Sequence, residues 1–69
     1  EIQFGGANWF GDSTQVTEMQ YRYRGPRVAG RIEGARFITT MPLPDTPAPG
    51  QSVVFYKGDE LIGGGIIGA

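Results

Sequence analysis

The sequence predicts an all-β domain, a small six-stranded antiparallel barrel. Three observations carry that prediction. Six short runs rich in β-branched and aromatic residues are separated by clusters of Gly, Pro, Asp and Ser, the pattern of strands joined by turns. No stretch repeats with a helical period. The chain has 69 residues, which is material for one domain. In a domain this small exposed sheet edges are a large liability, so a closed barrel is preferred to a small open sandwich.

The strands follow in order. Ile2 to Trp9 is the first, weakened by Gly5-Gly6, and Gly11-Asp12-Ser13 turns the chain after it. From Val16 to Arg24 the residues alternate, with Thr17, Met19, Tyr21 and Tyr23 on one face and Glu18, Gln20, Arg22 and Arg24 on the other, which predicts a half-buried second strand. Gly25-Pro26 breaks it. Val28, Gly30 and Ile32 then alternate with Arg27, Ala29 and Arg31 in a third strand, and Gly34 turns the chain into a fourth, Ala35 to Thr40, with Phe37 and Ile38 as its bulk.

The segment from Pro42 to Gly50 contains four prolines. Each removes a backbone donor, so it reads as a surface connection. Pro49-Gly50 announces a turn, Ser52 to Tyr56 is the fifth strand, and Gly58-Asp59 makes a tight hairpin into the sixth. With a two-residue loop there, Lys57 faces Glu60 across the strands, an opposite-charge pair of a few tenths of a kcal/mol. Gly63, Gly64 and Gly65 sit inside the return strand, where Gly marks a bend, a bulge or close backbone approach. The strand is expected to curl there.

Composition narrows the chemistry. The sequence has no Cys and no His, which removes disulfides, ordinary zinc sites and Cys/His or Ser/His catalysis. No metal or cofactor site is expected in the chain. A charged leader followed by a long apolar run is not found, so neither a signal peptide nor a membrane span is expected. Glu1 is not an initiator Met and Ile2 already reads as strand, so residues 1–69 are expected to be one barrel domain cut from a longer protein. Six of the seven carboxylates lie in predicted turns, at strand ends or at the terminus, where a solvated carboxylate keeps an ordinary pKa and makes a poor catalyst. Asp59-Glu60 fits a hairpin turn better than a dyad. The three glycines lack the Lys-Ser or Lys-Thr of a phosphate loop, and Pro44 to Pro47 reads as loop rather than as a Pro-x-x-Pro ligand. No catalytic residue is assigned.

Charge is more informative. The formal net charge is -1, but it is unevenly spread. From Met19 to Met41 five arginines stand against Glu33 alone, a net of +4, while the rest sets Lys57 against six acids, a net of -5. If Gly25-Pro26 is a two-residue hairpin loop, Arg24 lies opposite Arg27 and Arg22 and Arg31 share an outer face. Like charges placed so are destabilising, and such a patch suits an anion such as an RNA backbone. Arg22, Arg24, Arg27 and Arg31 are the candidate RNA-binding residues. A solvated face balanced by nearby acids is the competing reading. Tyr21 and Tyr23 share the face of Met19 and belong to the core, while Trp9 and Tyr56 are open to either core packing or stacking on bases.

The fragments Pro49-Gly-Gln-Ser-Val-Val-Phe-Tyr56, Gly58-Asp59 and Gly63-Gly-Gly-Ile-Ile67, with Asn8-Trp9 and Tyr21-Arg-Tyr-Arg24 followed by Pro26, occur in an order and spacing that resembles the C-terminal β-barrel domain of the bacterial tRNA-specific 2-thiouridylase family. The resemblance spans nearly the whole chain. It implies a six-stranded barrel like the second domain of elongation factor Tu. It also implies a non-catalytic role in holding tRNA while a separate catalytic domain uses ATP to adenylate a wobble uridine and passes sulfur to it through a cysteine persulfide. The expected partners are tRNA, that catalytic domain and a sulfur-relay protein, and the expected compartment is the cytoplasm. The chain has no Ser-Gly-Gly-x-Asp-Ser loop and no cysteine, so no catalytic residue carries over. Its 39–44 segment is nearly uncharged where the family usually carries acids. The alternative is a structural or protein-interaction barrel, or a stand-alone translation-factor-like RNA-binding module.

Overall fold

The computed structural model describes residues 1–22, 24–43 and 45–68. The strands are β1 (Ile2–Trp9), β2 (Glu18–Gln20), β3 (Val28–Glu33), β4 (Arg36–Thr39), β5 (Ser52–Lys57) and β6 (Glu60–Ile67). Among the described residues these six close into a barrel in the order β1-β4-β3-β2-β5-β6, with every neighbouring pair antiparallel. The all-β class and the barrel are as expected. No helix among the described residues is long and apolar enough to cross a membrane.

Two hairpins are tight. Glu33 pairs with Arg36 around Gly34-Ala35, and Lys57 pairs with Glu60 around Gly58-Asp59. Gly58 takes the left-handed backbone at φ 57°, which the turn requires and which glycine adopts without strain. The Lys57 ammonium, however, reaches Gln15 Oε1 at 3.0 Å. The register at this hairpin is as expected, and the lysine also ties it to the neighbouring connection.

The other two long links join strands three places apart in the ring. From β1 to β2 the chain passes through a short 3-10 turn, Ser13–Gln15. Asp12 caps it by accepting from the Thr14 hydroxyl at 2.7 Å and the Thr14 amide at 2.9 Å. These bonds favour the charged carboxylate and hold Asp12 below its usual pKa. From β4 to β5 the proline-rich segment crosses. It runs outside the sheet as its prolines demand, yet Pro47 is buried and Leu43 packs against the core. It therefore seals the barrel as well as connecting it.

The second strand is the main correction. It was expected over 16–24 and spans only Glu18–Gln20. Met19 and Tyr21 are buried as the alternation predicts, but Val16 takes the inward place expected of Thr17. The reason is local. Val16 leaves the 3-10 turn as its C-cap, and Thr17 donates its amide to Tyr56 O at 2.9 Å. Tyr23 lies outside the described residues, as does Pro44 of the loop reading.

Phe55 occupies the centre of the core and is fully buried with Phe4, Met19, Phe37 and Val53 around it. Its ring centroid lies 4.8 Å from Phe4, 5.3 Å from Trp9 and 6.0 Å from Phe37. Each such pair contributes about 0.5–1.5 kcal/mol beyond the area it buries. The glycines of β6 make this possible by close approach. A Cβ on Gly63 would stand 2.5 Å from the Trp9 ring and 2.6 Å from Asn8 O. The extra residue that bends β6 lies just before them, where the pairing steps from Phe55 with Gly63 to Tyr56 with Leu61. Trp9 is thus a packing residue laid over glycine backbone.

Candidate nucleic-acid interface

Because β2 ends at Gln20 and β3 begins at Val28, the two strands are not joined by a two-residue hairpin at Gly25-Pro26. The pairing of Glu18 with Ala29 and Met19 with Val28 does not put Arg24 opposite Arg27, and the expected like-charge pair across Gly25-Pro26 is not formed. The connection is held by two bonds instead. Gly25 donates its amide to Arg22 O at 2.9 Å, and Gln20 Nε2 donates to Gly25 O at 2.7 Å. Arg24 sits in the left-handed region at φ 59°, which costs a residue with a Cβ about 1–2 kcal/mol. Such strain persists only where neighbours enforce it.

Tyr21 leaves the core at its hydroxyl, which donates to Asp45 Oδ1, and Arg22 pairs with the other oxygen of the same carboxylate. The proline-rich segment is therefore pinned to the end of β2. The bond donated to Asp45, with burial second, pushes the Tyr21 hydroxyl above its ordinary pKa of 10.0. The Arg22 and Asp45 side chains are 51% and 44% exposed, so the ion pair itself contributes at most about 1 kcal/mol.

Arg22 and Arg24 both line a cleft of about 510 Å³ together with Gln20, Tyr21, Ser52, Val54 and Tyr56. No carboxylate is among the described residues lining it. Arg27 approaches from the side. Its guanidinium lies 3.8 Å from the Tyr56 centroid, donates to Gly58 O and stands 3.5 Å from Glu18. Arg31 is elsewhere, on the outer face of β3 beside Ile38 and paired with Glu33 at 2.6 Å. The structure thus brings Arg22 and Arg24 together, joins Arg27 to them through Tyr56, and leaves Arg31 outside the cleft. Sequence reasoning did not include Gln20 or Ser52. The alternation of β5, which sends Val53 and Phe55 inward and Ser52, Val54 and Tyr56 to the other face, was the signal that could have found Ser52.

The family model for the aminomethyltransferase beta-barrel domain matches residues 1–67. Among curated proteins the chain is 37% identical over 65 residues to the tRNA-specific 2-thiouridylase MnmA of Thermus thermophilus, covering 90% of this chain and 17% of that protein. It is 40% identical over 67 residues to the bifunctional protein NifU/MnmA of Rubrobacter xylanophilus, covering 90% of this chain and 14% of the relative. The 2-thiouridylase MnmA of Chlorobium phaeobacteroides is 42% identical over 71 residues, covering 91% and 20%. The chain therefore spans a fifth or less of the length of these relatives. No solved structure matches it significantly.

Proposed function

From the premise that this chain belongs to the aminomethyltransferase beta-barrel domain family, we propose that it is the non-catalytic C-terminal barrel of a tRNA 2-thiouridylase and contributes to binding tRNA. The placement of Arg22 and Arg24 on a cleft with no carboxylate among its described lining residues supports this most directly. Guanidinium groups suit phosphate because their donors match its oxygens in pairs. ATP-dependent 2-thiolation of the wobble uridine belongs to other parts of the parent enzyme, with the catalytic domain as the barrel's neighbour, a sulfur-relay protein as a further partner and the cytoplasm as the compartment.

The test is tRNA retention by filter binding across a salt series. The protein binds weakly and loses affinity as salt rises. Arg22→Glu and Arg24→Glu introduced together abolish binding, while Arg31→Glu, outside the cleft, leaves most of it. Equal retention by the double variant at low salt rules out the arginine patch as the tRNA contact.

A second reading has its own observation. Phe10, Met41, Leu61 and Ile66 are large apolar residues exposed by 66%, 71%, 46% and 38%, which fits a barrel packed against other domains. That reading expects self-association of the isolated chain and no tRNA affinity. A monomer by light scattering that retains tRNA excludes it.

A further inference from the structure

We propose that the cleft lined by Gln20, Tyr21, Arg22 and Arg24 on one side and by Ser52, Val54 and Tyr56 of β5 on the other seats a single unpaired RNA nucleotide, with the phosphate on Arg22 and Arg24 and the nucleoside against Val54 and Tyr56. The inference rests on the tRNA-binding reading and specifies what part of an RNA the barrel takes. It comes from the shape and chemistry of the cleft. Its volume, about 510 Å³, falls in the range of small-molecule sites. A duplex presents phosphates along a ridge and keeps its bases stacked inside, so it needs a charged surface but no concavity of this kind.

The lining is divided as a nucleotide is. Arg22 and Arg24 both line the cleft, close to where Gly25 donates its amide back to Arg22 O. The turn is held because Gln20 spends its amide N–H on Gly25 O, which leaves the Gln20 carbonyl as an acceptor for a base N–H or the ribose 2′-hydroxyl. Ser52, at the start of β5, adds a hydroxyl able to donate and accept. Val54 and the half-buried Tyr56, one face of whose ring Arg27 covers, supply an apolar wall against which a nucleoside can pack. Arg22 is shared with Asp45, but in a half-exposed pair, so exchange of the Asp45 carboxylate for a phosphate costs little. Arg24 holds a left-handed backbone, a strain that persists only where the surrounding structure enforces it.

The experiment measures fluorescence anisotropy of a labelled short single-stranded RNA, a duplex of the same length and inorganic phosphate as competitor, with thermal melts as the control for folding. Two variants probe opposite walls. Arg24→Gly removes a guanidinium at a position whose backbone suits glycine, and Ser52→Trp fills the cleft from an exposed strand position. The wild-type protein binds single strand more tightly than duplex, phosphate competes only at concentrations far above those of RNA, and each variant loses about tenfold for single strand while melting as the wild type does. Well-folded variants that bind single strand like the wild type overturn the cleft while leaving the tRNA reading standing, as does a wild-type preference for duplex. A wild-type protein that binds no RNA, tRNA included, overturns both.

Discussion

The Arg27 guanidinium lies 3.8 Å from the centroid of the Tyr56 ring, and this contact joins the residue just before β3 to β5, a strand that shares no edge with β3 because β2 lies between them. Arg27 also meets Glu18 of β2 and the carbonyl of Gly58 beyond β5. It straps the shortest strand of the barrel from outside. A residue chosen from the sequence as a candidate RNA contact has its Nη1 and the face of its guanidinium turned to the fold.

Replacement of Arg27 by Ala is therefore expected to cost stability, about 1–2 kcal/mol from the lost cation–π contact and covering stem. Arg27→Lys recovers less than half of that, since an ammonium lacks the planar face and the fork that reaches Gly58. Urea unfolding midpoints of the two variants decide this. Equal midpoints for Lys and Arg would mean that charge alone matters here.

Gly30 lies where β3 crosses Phe37. A Cβ there would stand 2.3 Å from Ile38 O and 2.6 Å from the Phe37 ring. Backbone cannot withdraw, so Gly30→Ala forces the hairpin apart at a cost of about 3 kcal/mol. Cores of this size supply about 3–5 kcal/mol in total. The variant is expected to keep at most about 2 kcal/mol and to melt far below the wild type by circular dichroism, and a cooperative melt near that of the wild type would refute the overlap.

Arg24 gives a test of backbone strain independent of ligand. At φ 59° a glycine is comfortable and an alanine is not, so Arg24→Gly is expected to be more stable than Arg24→Ala by about 1 kcal/mol. Both variants lack the guanidinium, so its contacts cancel in the comparison. Thermal midpoints in the reverse order would show that the turn relaxes when the arginine is removed.

The Tyr21 hydroxyl, raised above its ordinary pKa by the bond to Asp45 and by burial, links stability to alkaline pH. The unfolded chain releases this proton near pH 10.0 while the folded protein still holds it. The contribution is therefore complete below that pH and is lost as pH rises through the higher folded value. Denaturant midpoints of the wild type fall as pH climbs past that range, and Tyr21→Phe is less stable at neutral pH but flatter above it. Parallel curves for the two proteins would remove Tyr21 as the titrating group.

Much of this barrel was legible in the sequence because alternation and turn chemistry are local. The residues of β1 and the two-residue loop at Gly58-Asp59 follow from side-chain type at short range, as does the inward set Met19, Tyr21 and Phe37. The family was legible for a related reason, since the fragments that carry the resemblance, Pro49–Tyr56 and Gly63–Ile67 among them, are contiguous runs of the sequence. The link between β2 and β3 was not legible. Its course depends on Gly25 closing back on Arg22 and on Asp45, more than twenty residues away, capturing Tyr21 and Arg22.

By itself the sequence determined a small all-β domain with its basic charge gathered in the middle third. Only the tertiary structure decided which arginines act together. Position along a chain assigns a charge to a strand, but the closure of the ring decides its neighbours. Closure set Arg27 against Tyr56, sent Arg31 to Glu33, and left Arg22 and Arg24 on one cleft with Ser52 from a strand that lies remote in sequence and adjacent in space.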